Sequence, residues 1–284
     1  MYKILALDMD GTLLNNNKVI TPIVKKNIQE LINKGKEVTL TTGRFPASVW
    51  LHGQALGLKT ELIALNGSVI LDQTNGEPIK TVPLSGEVAQ KIAGFANKHN
   101  VYVHFHGYNV LFVENLNEMN KGWAMNNIVV DEAKERIFEN YKDQLQYFEI
   151  REVKDFQDFF KEQSETVVYK ATILNDNPET IEFLYQQMSN WEELSVTRTG
   201  LKRFDINAAG VSKQMALKYL CDKKNIDSSE VVAIGDYDND YKMIEWAGLG
   251  VAMGNGNTLI KSVAKVVTKS NEENGVAEII KSYF

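Results

Sequence analysis

The run Asp8-Met9-Asp10-Gly11-Thr12 begins where the apolar stretch Ile4-Leu5-Ala6-Leu7 stops. Two carboxylates two residues apart at the end of a strand suit phosphoryl transfer: one addresses a bound metal and substrate while the other flanks it. Gly11 then lets the backbone turn sharply. An isolated acidic pair of this kind is common on protein surfaces, so its weight comes from the segments that accompany it.

Two further segments end in the same manner. Lys36-Glu37-Val38-Thr39-Leu40 reads as a strand that delivers Thr41-Thr42-Gly43-Arg44, and Val231-Val232-Ala233-Ile234 as one that delivers Gly235-Asp236-Tyr237-Asp238-Asn239-Asp240. Between them, Gly210-Val211-Ser212-Lys213 opens a helical pattern whose apolar positions include Met215, Leu217 and Leu220. In an open parallel α/β sheet the chemistry gathers beyond the carboxyl ends of the strands, where segments distant in sequence converge. The Lys213 helix would aim its positive end and an ammonium at that crevice, beside a cluster of acids.

The set Asp8-x-Asp10-Gly11-Thr12, Thr42-Gly43-Arg44, Lys213 and Gly235-Asp236-x-x-Asn239-Asp240, in this order, resembles the four motifs of the haloacid-dehalogenase-like hydrolase superfamily. The long insertion between the second and third motifs, with Thr-Gly-Arg and Asn66-Gly67, is similar to its Cof-type sugar-phosphatase branch. The resemblance implies a Mg2+-dependent phosphatase acting on a small phosphorylated metabolite, a sugar phosphate, through an aspartyl-phosphate. Asp8 is then the nucleophile, and Asp10 the acid to the leaving alkoxide and base to the attacking water, provided its surroundings raise its proton affinity. Magnesium would be held by Asp8, the backbone carbonyl of Asp10 and Asp236, a hard-oxygen set. Met9, Thr42, Gly43, Lys213 and Asn239 form the phosphate cradle. Met9 stands where leucine is commoner, a volume-conserving exchange. Asp240 is either a carboxylate behind Lys213 and the metal or an acid favoured by a helix N-terminus. Arg44 either contacts substrate or ties its loop to a neighbouring carboxylate. A phosphomutase or phosphotransferase using the same intermediate, and a metabolite sensor without turnover, are the competing readings.

Composition agrees with a globular enzyme. The chain has 284 residues, 44% hydrophobic and 24% charged, with a net charge of −6, which argues against a nucleic-acid or acidic-membrane surface. A single cysteine, Cys221, cannot form an internal disulfide, and no apolar run reaches the roughly 18 residues of a membrane span. These features predict a cytoplasmic protein with a small-molecule partner, and nothing implies an obligate protein partner. Asn66-Gly67-Ser68 is formally a glycosylation sequon, but in a reducing compartment it reads as a hairpin turn between Leu62–Leu65 and Val69–Leu71.

The elements alternate. Thr21-Pro22 caps a helix with Ile23, Val24, Ile28, Leu31 and Ile32 as its apolar stripe and Gly35 as its end, making one βαβ unit. From about Leu84 the pattern changes. A helix carries Val88, Ile92 and Phe95; Val101–Phe105 alternates with period two, turns at Gly107-Tyr108-Asn109 and returns as Val110–Val113. A charged helix near Asp131 to Tyr141, a strand at Val167 to Leu174, a helix opened by Asn177-Pro178 and a strand near Leu194 to Thr199 follow. This reads as an α+β insert with an antiparallel sheet, in which Tyr102, His104 and His106 lie on one face, either toward substrate or toward solvent. After Phe204-Asp205-Ile206 the βα rhythm resumes to the closing helix Val276–Ile280. The expected organisation is a Rossmann-like α/β core, residues 1–83 and 201–284, interrupted by an α+β cap, residues 84–200. Gly250, Gly254 and Gly256 do not have dinucleotide-loop spacing and read as tight turns.

Overall fold

The structure is a computed structural model that describes residues 1–122, 147–163 and 165–284. The helix expected between Asp131 and Tyr141 lies outside the described residues. The strands, in chain order, are β1 Ile4–Leu7, β2 Glu37–Leu40, β3 Leu62–Ala64, β4 Val69–Leu71, β5 Pro78–Thr81, β6 Tyr102–His106 and β7 Val110–Val113. They continue as β8 Glu149–Glu152, β9 Lys170–Leu174, β10 Leu194–Gly200, β11 Arg203–Ala208, β12 Val231–Gly235, β13 Leu249–Ala252 and β14 Val266–Val267.

One compact unit comprises Met1–Lys80 and Ser212–Phe284. Its sheet has the order β14-β13-β12-β1-β2, every neighbour parallel. The central strands are continuous apolar runs, and β1 and β12 are buried along their whole lengths, as strands covered on both faces must be. Helix Pro22–Asn33 is capped by the Thr21 hydroxyl and buries Val24, Ile28 and Leu31. Ile23, expected in the stripe, is 51% exposed, because it falls outside the arc that meets the sheet. Helix Lys213–Lys224 likewise buries Ala216, Leu217, Leu220 and Cys221 but turns Met215 outward. The hairpin β3–β4 pairs Leu62 with Leu71 and Ala64 with Val69 around Leu65–Gly67, so Asn66-Gly67 is a turn as expected.

The second unit lies within Thr81–Val211. Its six-stranded sheet has the order β10-β11-β9-β6-β7-β8. Every pairing is antiparallel except β7 with β8, which departs from the wholly antiparallel expectation at one edge. One face packs Phe105, Ile173, Phe204 and Ile206 against Ile92, Phe156 and Leu184 of three helices. The return to the first unit falls at 211/212, not at 200/201. The reason is β11, which pairs with β9 and β10 and contributes Phe204 and Ile206 to this sheet's core. The first change of unit likewise falls at 80/81 rather than 83/84.

Candidate active site

Parallel register brings the motifs level. Leu7 pairs with Ile234 on one side and Leu40 on the other, so Asp8, Asp236 and the Thr41–Arg44 segment leave the sheet at one edge. Gly11 has φ +80°, and a Cβ there would sit 2.4 Å from Asp236 Oδ2, so only glycine lets the first motif loop fold against the third acid. The Thr12 hydroxyl donates to Asp236 Oδ1 at 2.9 Å, and a Cβ on Gly235 would meet the Asp240 carboxylate at 2.5 Å.

Lys213 is fully buried, and its ammonium donates to Asp8 and, at 2.6 Å, to Asp240 Oδ1. The other Asp240 oxygen accepts from the Asp236 and Tyr237 amides at 3.0 and 3.3 Å. Asp240 therefore serves as a carboxylate behind Lys213, and it also fixes the loop that presents Asp236. The hairpin turn supplies a support that sequence reasoning missed: a Cβ on Gly67, at φ +104°, would lie 2.3 Å from Ser212 O, so the glycine admits the start of the Lys213 helix. Asn239 donates to Asn66 Oδ1 of that same turn at 3.3 Å.

Asp8, Asp236 and Asp240 each bring a carboxylate oxygen within 4.8 Å of the others. Burial, reinforced by Asp240 and Asp236, pushes the proton affinity of Asp8 well up against the opposing pull of Lys213. Burial and Asp240 likewise push Asp236 up to about 7. Three crowded hard-oxygen donors against the single Lys213 ammonium fit a divalent cation such as Mg2+. The Asp10 side chain is not in this triad, so a metal role for Asp10 is confined to its backbone carbonyl.

Instead the Asp10 carboxylate is gripped by cations. Arg44 Nε donates to Oδ2 at 2.6 Å and Nη2 to Oδ1 at 2.7 Å, and Lys18 Nζ donates to Oδ1 at 2.6 Å. Burial alone would raise its proton affinity, but the two cations outweigh burial and hold the carboxyl well below the usual range. This reverses the raised affinity that the sequence reading required, because Lys18 was not recognised as a partner. Arg44 ties its loop to a carboxylate, and its Nη1 rests on Ser48 Oγ at 3.3 Å. Ser48 and His52 project from helix Pro46–Leu56, with His52 Nδ1 2.7 Å from the Ser48 carbonyl. Burial and Arg44 push His52 down to about 3, so it is neutral.

Thr42 is buried, its Oγ accepting from the Arg44 amide at 3.1 Å and its own amide donating to Ile63 O at 3.0 Å, which leaves Gly43 at the bend of the loop. The Met9 side chain is wholly buried, so only its backbone is available to a phosphate. In the second unit Tyr102, His104 and His106 share a face as expected, but that face is not solvated: both histidines are buried. His104 Nδ1 lies 3.4 Å from the Tyr102 hydroxyl and His106 Nε2 3.1 Å from Thr172 Oγ. Beside them, Lys170 and Asp205 form a buried ion pair at 3.0 Å, and Thr172 donates to Asp205 at 2.8 Å. Gly250 and Gly254 are required by close backbone approaches, to Ile244 O and Ser270 N, rather than by any ligand loop.

The parallel sheet, the inserted antiparallel sheet and this acid–lysine cluster define a haloacid dehalogenase-like hydrolase, and the profile of the family described in those words matches residues 5–280. The chain belongs to that family, in its Cof-type branch, and is a phosphoric monoester hydrolase. It is 29% identical to the phosphatase YwpJ of Bacillus subtilis, covering 98% of this chain and 99% of that one. It is 26% identical to the 5-amino-6-(5-phospho-D-ribitylamino)uracil phosphatase YitU of the same organism, over 99% and 97% of the two chains. A solved haloacid dehalogenase-like hydrolase from B. subtilis superposes with a TM-score of 0.86 at 27% identity, covering 99% of this chain and all of the other. Among the described residues no helix is long and apolar enough to cross a membrane.

Proposed function

We propose that the chain hydrolyses a small phosphorylated metabolite, a sugar or sugar-alcohol phosphate, through an aspartyl-phosphate on Asp8. The observation that carries this reading is the buried Asp8 carboxylate held by Lys213 beside Asp236 and Asp240. A phosphate monoester resists attack because nucleophile and target are both anionic, so a site needs neutralising charge and a fixed nucleophile. Lys213 supplies the first and orients the second. An Asp8 oxygen attacks phosphorus in line, the ester P–O bond breaks, and the leaving alkoxide takes a proton from Asp10; water then attacks the acyl phosphate, gives its proton to Asp10, and frees Asp8 and inorganic phosphate. For the second half-reaction Asp10 starts ionised, as a base must, although Arg44 and Lys18 lower its proton affinity and so weaken it as a base. For the first, the charge of an incoming phosphoryl dianion raises the proton affinity of Asp10 by repulsion. Thr42, Gly43, the Met9 backbone and Asn239 hold phosphoryl oxygens. Asp8, Asp236 and the Asp10 carbonyl would hold Mg2+, which would supply charge neutralisation at the phosphoryl group.

Support for the substrate class comes from relatives named for a phosphoribityl compound, a phosphate on a polyhydroxylated chain. The polar face of the second unit, around Tyr102, is proposed to select the leaving group. The test is a pair of variants on an aryl phosphate. Asp8→Asn abolishes turnover and phosphoenzyme; Asp10→Asn releases one equivalent of phenolate, accumulates phosphoenzyme and stalls. Retained turnover in Asp8→Asn refutes the mechanism, and transfer of the phosphoryl group to an added sugar in place of phosphate release would favour a phosphotransferase.

A further inference from the structure

The loop between Leu14 and Thr21 holds a lysine where lysine is conformationally disfavoured. The Asn15 amide donates to Val19 O at 3.0 Å, the Lys18 amide to Asn15 O at 2.9 Å, and Asn15 Oδ1 accepts from the amides of Asn17 and Val19 at 3.1 and 3.0 Å. Lys18 closes this tight turn at φ +61°, a left-handed position that suits glycine or asparagine. The turn itself has no use for a lysine. Its ammonium lies 2.6 Å from Asp10 Oδ1.

The loop is also fastened at both ends. Asn271 Nδ2 donates to Leu14 O at 3.0 Å, the Asn16 amide to Glu272 Oε1 at 2.6 Å, and the Thr21 hydroxyl to Asn274 Oδ1 at 2.5 Å. Three residues of one C-terminal segment thus hold the loop, and hence Lys18, in place.

We propose that Lys18 is a positioning residue for Asp10, the outer jaw of a clamp whose inner jaw is Arg44. The inference rests on the reading that Asp10 takes the proton of the water that cleaves the phosphoenzyme. The Arg44 side chain is 2% exposed and grips both carboxylate oxygens, and with Lys18 also in place the Asp10 side chain stays 40% accessible. Lys18 adds a second cation on Oδ1, the oxygen that Arg44 Nη2 also holds, and so fixes the carboxylate against rotation. Without it, the base is held by one jaw and misaimed. Formation of the phosphoenzyme from an aryl phosphate, whose phenolate leaves without a proton, does not use this aim; hydrolysis of the phosphoenzyme does.

The test is rapid-mixing kinetics of Lys18→Gly and Lys18→Arg with p-nitrophenyl phosphate and Mg2+. Lys18→Gly, which suits the backbone, is expected to melt no lower than the parent protein. Its kcat should fall about tenfold or more with KM falling in step, kcat/KM staying within about twofold, and nitrophenolate should appear in a burst matching the enzyme concentration. Lys18→Arg should recover kcat to within a few-fold. Unchanged kcat in Lys18→Gly, or a loss in kcat/KM without a burst, overturns the clamp. A burst in Asp10→Asn with none in Lys18→Gly overturns the clamp alone; no phosphoenzyme in Asp10→Asn removes the parent reading and the clamp with it.

Discussion

Lowering the pH should destabilise the second unit through His104 and His106, by an amount the structure allows to be worked out. Burial, with Lys170 adding repulsion, pushes His104 from its ordinary 6.5 down to about 3, and the same two causes push His106 well below 6.5. Each ring is therefore neutral in the folded protein and protonates in the unfolded chain below about pH 6.5. Folding stability is full above that value and is lost progressively as pH falls toward 3, where the folded state begins to protonate as well. At about pH 5 the loss from His104 is about 2 kcal/mol, and His106 adds to it in the same direction, a noticeable share of the 5–15 kcal/mol typical of a domain. The perturbation that isolates the effect is the double variant His104→Asn and His106→Gln, which places an amide where each ring makes its hydrogen bond, to Tyr102 and Thr172. Urea unfolding of both proteins at about pH 7.5 and about pH 5 should give a loss for the parent larger than for the variant by about 2 kcal/mol or more. His52, also neutral, is present in both and cancels. Equal losses in the two proteins, or a His104 ring proton that titrates near 6.5 by NMR, would refute the reasoning.

Gly67→Ala should lower kcat/KM at least about tenfold and cost roughly 1–3 kcal/mol, because its Cβ meets Ser212 O at 2.3 Å and the start of the Lys213 helix must move; kinetics and thermal melts of the variant check this. Chelation of divalent ions should stop turnover and Mg2+ restore it, while Ca2+ binds without supporting reaction because its looser coordination lets Asp8 engage it with both oxygens; full activity in chelator would contradict the acid cluster's assignment. Tyr102→Phe should reorder kcat/KM among phosphorylated polyols while leaving acetyl phosphate, which offers little to select, nearly unchanged; equal losses on both would mean the second unit takes part in the transfer itself.

The residues that meet at the strand ends were legible because parallel strands put chemistry where apolar runs stop, and Asp8, Asp236 and Lys213 each follow such a run or open a capped helix. Helix Pro46–Leu56 was not legible: its buried residues, Pro46, Ala47, Ser48, Val49, His52, Gly53 and Leu56, spread around much of its circumference and leave no apolar stripe to detect. Its loss hid Ser48 and His52, which back Arg44. Strand β11 was hidden for a different reason, since Phe204-Asp205-Ile206 alternates as any edge of the core might, and only its pairing with β9 assigns it to the inserted sheet.

The case of Asp10 is the most informative. A carboxylate two residues from a nucleophile implies a proton carrier, and a proton carrier implies a raised affinity; the sequence contains no sign that a lysine eight residues on returns to the same oxygen. The return depends on a left-handed residue at position 18 and on three side chains from 271–274, contacts that span more than 250 residues of chain. An ionised Asp10 shifts the demand on the site. The base half of the reaction begins from the charge Asp10 already carries, with Arg44 and Lys18 weakening it as a base, whereas the acid half needs a proton that arriving negative charge can draw there. On that argument substrate binding and proton uptake by Asp10 are coupled, so alkyl and aryl phosphates alike should bind with net proton uptake, while blocking that uptake should slow departure of the alkoxide far more than departure of the phenolate.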